Sequence, residues 1–294
     1  MVLLLGWPRP SSGWAARYMR QVVDAPMGLP VAAGVMEMYE RLGDVSGAAT
    51  SAFNLGFLIM KQSGDTEAAV AAWENCLAVF RGLQDADAVA AVLDALGWAA
   101  HRRGDSQRAK DLLEESIALL REVGDQHSLA RALHHLGVLL AGQATVGAAT
   151  KALAESVTLR QALGDRRGLA YDLEALAGVA VNQGRPELAA RLQGACAVML
   201  EATGLKRSPD IAQALGLPPS QLDLGEFSKD FASGRHMSSD EAVEVALNFA
   251  GQVSRNLGVL PWGSVVPDSN HVEMPTSDPK WPDPRHRAFG PCGL

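Results

Sequence analysis

Aromatic residues make up only 5% of the 294 residues, although hydrophobic residues reach 48%. The apolar content is mainly Ala, Leu and Val, which suits closely packed helices and argues against a β-sandwich. Cysteine is nearly absent. Cys76, Cys196 and Cys292 are odd in number, far apart and without a CxxC spacing, so neither a disulfide framework nor a zinc site is expected, and a reducing cytoplasm is the simplest location. Neither sign of charge dominates: 26 basic against 33 acidic side chains leave a net charge of −7, with no electrostatic footprint for direct binding of nucleic acid or an anionic membrane. Long apolar runs are missing as well. The opening Met1-Val-Leu-Leu-Leu-Gly6 has no basic flank and stops at Trp7-Pro8, too short for a signal peptide or a membrane span.

Proline is missing from the middle of the chain. All 15 prolines lie at or before Pro30 or at or after Pro186, so the stretch between can be helical, interrupted only by turns. Within it, Gly-Asp begins at Gly43, Gly64, Gly104, Gly124 and Gly164, with gaps of 21, 40, 20 and 40. A glycine there closes one helix in the left-handed conformation, and the aspartate carboxylate accepts from the free N–H groups opening the next. Gln84-Asp85, Gln143-Ala144 and Gly184-Arg185 fill the missing points of that grid as weaker versions of the same turn.

A step of 40 aligns two alternating helix types, the mark of a helical repeat. The first type carries Leu55-Gly56, Leu96-Gly97, Leu136-Gly137 and Leu176-Ala177. The second carries Ala69, Ala109, Ala149 and Ala189, followed by Trp73, Leu113, Leu153 and Gln193, and then by Cys76, Ser116, Ser156 and Cys196. Small residues in register on both helices predict close backbone approach. The fold expected is an all-α superhelix: an irregular segment with a short helix over 1–26, one orphan helix plus four helix pairs over 27–204, a linker and helical cap over 205–257, and a flexible proline-rich tail over 258–294.

These columns resemble the tetratricopeptide repeat, with a period of 40 in place of the usual 34 and with Gly-Asp where that pattern closes its second helix on proline. The wording of Ala109-Lys-Asp-Leu-Leu-Glu-Glu-Ser-Ile-Ala-Leu-Leu-Arg-Glu-Val-Gly-Asp125, and of 184–195 and 225–243, is similar to the C-terminal repeats of bacterial LuxR-type and AfsR-type regulatory ATPases. The resemblance implies a regulatory or signalling role. The ATPase and DNA-binding domains of that family are not matched, because GxxxxGKS and GxxxxGKT are both missing and no helix-turn-helix is legible.

The function expected is a non-enzymatic module that holds a protein or peptide in a concave groove. The alternative is the detached sensor half of an ATP-dependent transcriptional regulator whose other domains lie on a second polypeptide. Inward positions of the first helices include Thr50, Phe53, Phe57, Met60 and Lys61, then Asp94, Trp98, His101 and Arg102, then Arg131, His134 and Val138, then Tyr171, Glu174 and Asn182. Trp98 and Phe57 are candidate apolar anchors, and Arg102 and Arg131 are candidate partners for ligand carboxylates. Asn54 matches the asparagine with which many tetratricopeptide repeats hold a ligand backbone. The partner-binding set is therefore Asn54, Phe57, Trp98, His101, Arg102, Arg131, His134 and Tyr171. His134-His135 point about 100° apart on a helix and have no second ligand pair at i+4, so they read as ordinary helix residues and not as a metal site. No catalytic constellation, metal or cofactor is expected. The unpaired N-terminal helix edge is a candidate surface for self-association.

Overall fold

A computed structural model of the chain describes residues 28–202 and 225–256. The expected short helix near 14–23, most of the linker and the tail over 258–294 lie outside the described residues.

The described residues form eleven helices. The orphan is α1 (Gly28–Arg41). The pairs are α2 (Val45–Gln62) with α3 (Thr66–Gly82), α4 (Ala86–Arg102) with α5 (Ser106–Val123), α6 (Gln126–Gly142) with α7 (Val146–Leu163), and α8 (Arg166–Asn182) with α9 (Pro186–Ala202). Two more helices follow, α10 (Ser228–Arg235) and α11 (Ser239–Asn256).

The turns follow from their residues. Gly43, Gly64, Gly104, Gly124, Gly164 and Gly184 all have φ between 66° and 80°. Asp44, Asp65, Asp105 and Asp165 each accept a hydrogen bond at 2.9–3.2 Å from a backbone N–H three residues on, and Asp125 accepts from both His127 and Ser128. Pro186 opens α9, where a missing N–H costs nothing. At the two weaker grid points the same left-handed turn is made without glycine, by Gln84 (φ 55°) and Ala144 (φ 56°), and Thr145 makes no side-chain cap bond. Because a Cβ is disfavoured in this conformation, Ala144→Gly is expected to stabilise the protein by about 0.5–1 kcal/mol. The measurement is the urea midpoint, which should rise at constant slope.

First and second helices bury themselves differently. Helix α4 buries 12 of its 17 residues and α5 buries 5 of its 18, because a first helix is enclosed by its own partner, the preceding second helix and neighbouring first helices. The pairs interlock at Gly56, Gly97 and Gly137. A Cβ at Gly97 would come 2.8 Å from Leu113, one at Gly137 would come 2.6 Å from Leu153, and one at Gly56 would overlap the Trp73 indole. The column of small residues on the second helices also carries hydrogen bonds, which its size alone does not announce. Cys76 Sγ donates to the Ala49 carbonyl at 3.3 Å and Ser116 Oγ to that of Ala90 at 2.8 Å, while Ser156 Oγ lies 2.8 Å from the Ala130 carbonyl. Burial pushes the Cys76 thiol up to about 12, so it stays protonated and serves packing, in keeping with its column.

The C-terminal helices close the fourth pair. Helix α10 crosses α9 with Gly194 against the backbone of Phe231 and Gly234 against that of Arg191, contacts only glycine permits. The helix starts at Ser228, because Phe227 lies in the preceding turn. Helix α11 packs along α7, α8 and α9 through Ala242, Val243, Ala246, Phe249, Ala250 and Val253, with Val245 only half-buried. Its cap is Ser238, not Ser239. Glu241 N donates to Ser238 Oγ and Ser238 N donates to Glu241 Oε2, a capping box.

Candidate functional site

The inner positions of the first helices hold two polar networks, and the adjacent histidines belong to different ones. His135 turns toward α4, where its Nδ1 lies 2.7 Å from Asp94 Oδ1, while Arg131 Nε donates to Asp94 Oδ2 at 2.6 Å. His134 turns the other way, toward α8, with Nδ1 2.7 Å from Asp172 Oδ1. A carboxylate accepts only, so both histidines carry a proton on Nδ1. Asp172 Oδ2 is also 2.7 Å from Ser156 Oγ and 3.1 Å from Arg160 Nε, and Arg160 Nε donates to Ser156 Oγ. The 100° angle between successive helical residues thus ties α6 to both neighbouring first helices at once.

Arg160 interrupts an apolar column. At a step of 40 its counterparts are Phe80, Leu120 and Leu200, and it is only 6% exposed. Room for it comes from Gly168 on α8, where a Cβ would overlap the guanidinium. Such an ion inside a packed repeat persists only with Asp172 and Ser156 placed against it. Its signal in the sequence is a charged residue in an otherwise apolar register, whereas Asp172 and the pairing of His135 lie outside the expected binding set.

Titration follows burial. Burial by itself would raise the Asp94 carboxyl, but the His135 and Arg131 charges and hydrogen bonds outweigh it and hold Asp94 well below the usual carboxylate range. Burial lowers His134, against the opposing pull of Asp172, and it also lowers His101 and His127. In the unfolded chain these three histidines take up protons near ~6.5; in the folded chain they do so only at lower pH. Within that window the unfolded state binds more protons, so stability falls as pH falls below about 6.5. The urea midpoint should therefore drop between about pH 7 and pH 5, and His134→Gln should flatten the drop. A midpoint that stays level over this range would contradict the burial of neutral His134.

The sequence-expected residues divide into wall and surface. Asn54 and His134 are 3% and 4% exposed, so neither presents a polar group at the surface; His134 instead holds Asp172. Thr50, Phe53, Asp94, Val138 and Glu174 are buried as well. Arg131 is half-buried, with its Nε paired to Asp94. Phe57 leans on Trp73, with ring centroids 4.9 Å apart, and is 38% exposed. Trp98 lies half-buried and stacked on His135, with centroids 4.6 Å apart and planes 20° apart. His101 flanks Trp98 at 5.3 Å, and Arg102 is exposed one residue further on. Tyr171 lies half-buried beneath Arg167, whose guanidinium sits 5.5 Å from the ring centroid. Trp98, His101 and His135 are thus brought together, with the Asp94–Arg131 pair fixing the histidine from behind. No group of three or more His, Cys, Asp or Glu side chains among the described residues is placed to hold a metal ion.

A family model described as tetratricopeptide repeat matches residues 47–122, and one described as anaphase-promoting complex subunit 5 matches residues 132–182. The chain has a tetratricopeptide-like helical-repeat fold. Among solved structures, the crystal structure of BtubC (BKLC) from P. vanneervenii matches with a TM-score of 0.54 and 16% identity, over 88% of this chain and 99% of that one. At that identity the likeness concerns the fold alone. No curated protein matches. These matches support the repeat architecture and do not reach the regulatory-ATPase resemblance. No helix among the described residues is long and apolar enough to cross a membrane.

Proposed function

We propose that the protein is a non-catalytic binding module that holds a peptide or protein segment against the inner positions of its first helices, as part of a regulatory or signalling assembly. The observation that carries this reading is Trp98, a half-buried indole stacked on His135. Large aromatic rings left partly open on a rigid wall are characteristic anchors of interfaces. Here the ring is held flat by a histidine that Asp94 and Arg131 fix in turn. His101 flanks the ring with Arg102 exposed next to it, and on α8 Arg167 lies over Tyr171, which favours a segment with an apolar side chain for Trp98 and carboxylates for Arg102 and Arg167.

The double variant Trp98→Ala/Arg102→Ala tests the assignment. Partners recovered with the purified full chain and quantified by mass spectrometry should fall at least about tenfold, equivalent to ~1.4 kcal/mol of binding, with the helical circular dichroism unchanged. Undiminished recovery of the same partners would rule out this wall as the binding surface.

A further inference from the structure

The outer, second-helix side carries a row of equivalent clefts, each bounded by two successive second helices and floored by the first helix between them. The left-handed turn residues Gly43, Gln84, Gly124 and Gly164 fix the register. On the leading rim the equivalent positions are Glu40, Arg81, Arg121 and Gln161; on the following rim they are Asn75, Glu115, Glu155 and Ala195. In the two middle clefts these positions form a clasp across the opening, Arg81–Glu115 and Arg121–Glu155, each at 2.8 Å.

The fourth cleft has Gln161 and Ala195 at those positions and cannot form the clasp. There α11 lies along α7, α8 and α9. Gln161 donates to Asp240 at 3.2 Å, and Arg166 donates to Ser239 Oγ at 3.4 Å. At the other end Arg185 donates to Gln252 at 2.7 Å and lies 5.6 Å from the Phe249 ring centroid. Where the clasp is missing, a helix occupies the space.

The first cleft, between α1 and α3 over α2, has Glu40 and Asn75, which also cannot form the clasp. Among the described residues it is open, lined by apolar groups of Met36, Val45, Ala48, Ala52, Cys76 and Val79. Val45 at its mouth is 57% exposed. Its floor is apolar at the same positions: Ala48, Ala52 and Val79 stand where Leu169, Leu173 and Met199 share one apolar cluster with the buried face of α11. Its polar rim does not repeat. The positions of Gln161, Arg166 and Arg185 are here Glu40, Val45 and Asp65, so two cations are lost and two carboxylates gained.

We propose that this first cleft is a docking groove for an amphipathic helix of another protein, with an apolar face like that of α11 and with lysine or arginine where α11 has Asp240 and Gln252. The apolar floor supplies the burial that a helix laid in a groove requires. The rim supplies the selection, because a basic first turn pairs with Glu40 and a basic last turn with Asp65. Helix α11 of a second copy is rejected by the same charges, since Asp240 would face Glu40. The groove lies on the opposite side of the repeats from Trp98 and does not depend on that assignment.

The full-length chain is titrated into two fluorescein-labelled synthetic peptides spanning 239–256, one with the native sequence and one carrying D240K, E241K, E244K and Q252K. Fluorescence anisotropy should show the lysine-bearing peptide binding at least about tenfold more tightly than the native one. Glu40→Arg/Asn75→Glu, which installs the clasp of the middle repeats, should weaken that binding at least about tenfold with helicity retained. Glu40→Lys alone gives the same reading should the double variant lose helicity. Trp98→Ala should leave peptide affinity unchanged. Equal affinity for both peptides, or undiminished binding by the clasped variant, would overturn the proposal. So would a concentration-dependent dimer that the clasp abolishes, because the occupant would then be a second copy.

Discussion

Asp172→Ala is expected to cost about 3–5 kcal/mol, the usual loss when one partner of a buried ion pair is removed and the other stays. Asp172 is fully buried and meets His134, Ser156 and Arg160 within 3.1 Å. Without it, the guanidinium of Arg160 retains only Ser156 and, at 3.6 Å, Asp165. The repeat itself provides the control. Leucine occupies the Arg160 position in the columns of Leu120 and Leu200, and Val92 and Ala132 occupy that of Asp172. Arg160→Leu/Asp172→Ala should therefore recover at least half of the loss, a strong coupling between the two sites. Urea unfolding followed by circular dichroism measures all three chains, and strict additivity of the two single changes would show that the network carries no cooperative energy.

Trp73→Ala is the second large effect, also about 3–5 kcal/mol. The indole is 1% exposed, fills the space left open by Gly56, and donates from Nε1 to the Phe53 carbonyl at 2.9 Å. Truncation leaves a cavity and an unsatisfied ring contact with Phe57. Trp73→Leu should cost less, because Leu113 and Leu153 fill the same position against Gly97 and Gly137. In a solenoid each pair is supported mainly by its neighbours, so amide hydrogen exchange should quicken in α1, α2 and α3 and stay slow in α8 and α9. A uniform loss of protection along the chain would contradict that one-dimensional picture.

The helix boundaries were legible because each is written in residues that act on their own backbone. A glycine at φ near 70° and an aspartate three residues before its N–H partner need no distant contact. The 40-residue step was legible for a related reason: Gly56, Gly97 and Gly137 face the large residue of their own pair, a short-range packing rule repeated several times. The candidate wall was legible only as a set of positions. Sequence placed Trp98, His101, Arg131, His134 and Tyr171 on one side of the first helices, but not which of them would be turned inward. That division depends on partners 37 to 41 residues away, such as Asp94 for Arg131 and His135, and Asp172 for His134. The cap of α11 was legible in the sequence, since Ser238 stands three residues before Glu241, the capping-box spacing that Ser239 lacks; only the contact of Ser239 with Arg166 needed the tertiary structure.

The sequence by itself determined the repeat: its period, its turns and the small residues at each crossing, because these are local instructions given several times over. The tertiary structure decided what each repeat does with the positions where the instructions differ. Arg160 in an apolar column became a buried ion because Asp172 and Gly168 come to it from the next helix. Gln161 and Ala195, where the middle repeats have Arg and Glu, left a cleft that α11 fills, while Glu40 and Asn75 left one that no described residue fills. Exceptions to a repeat are single occurrences without a pattern to read them against, and their meaning is fixed by whichever chain segment the fold brings alongside.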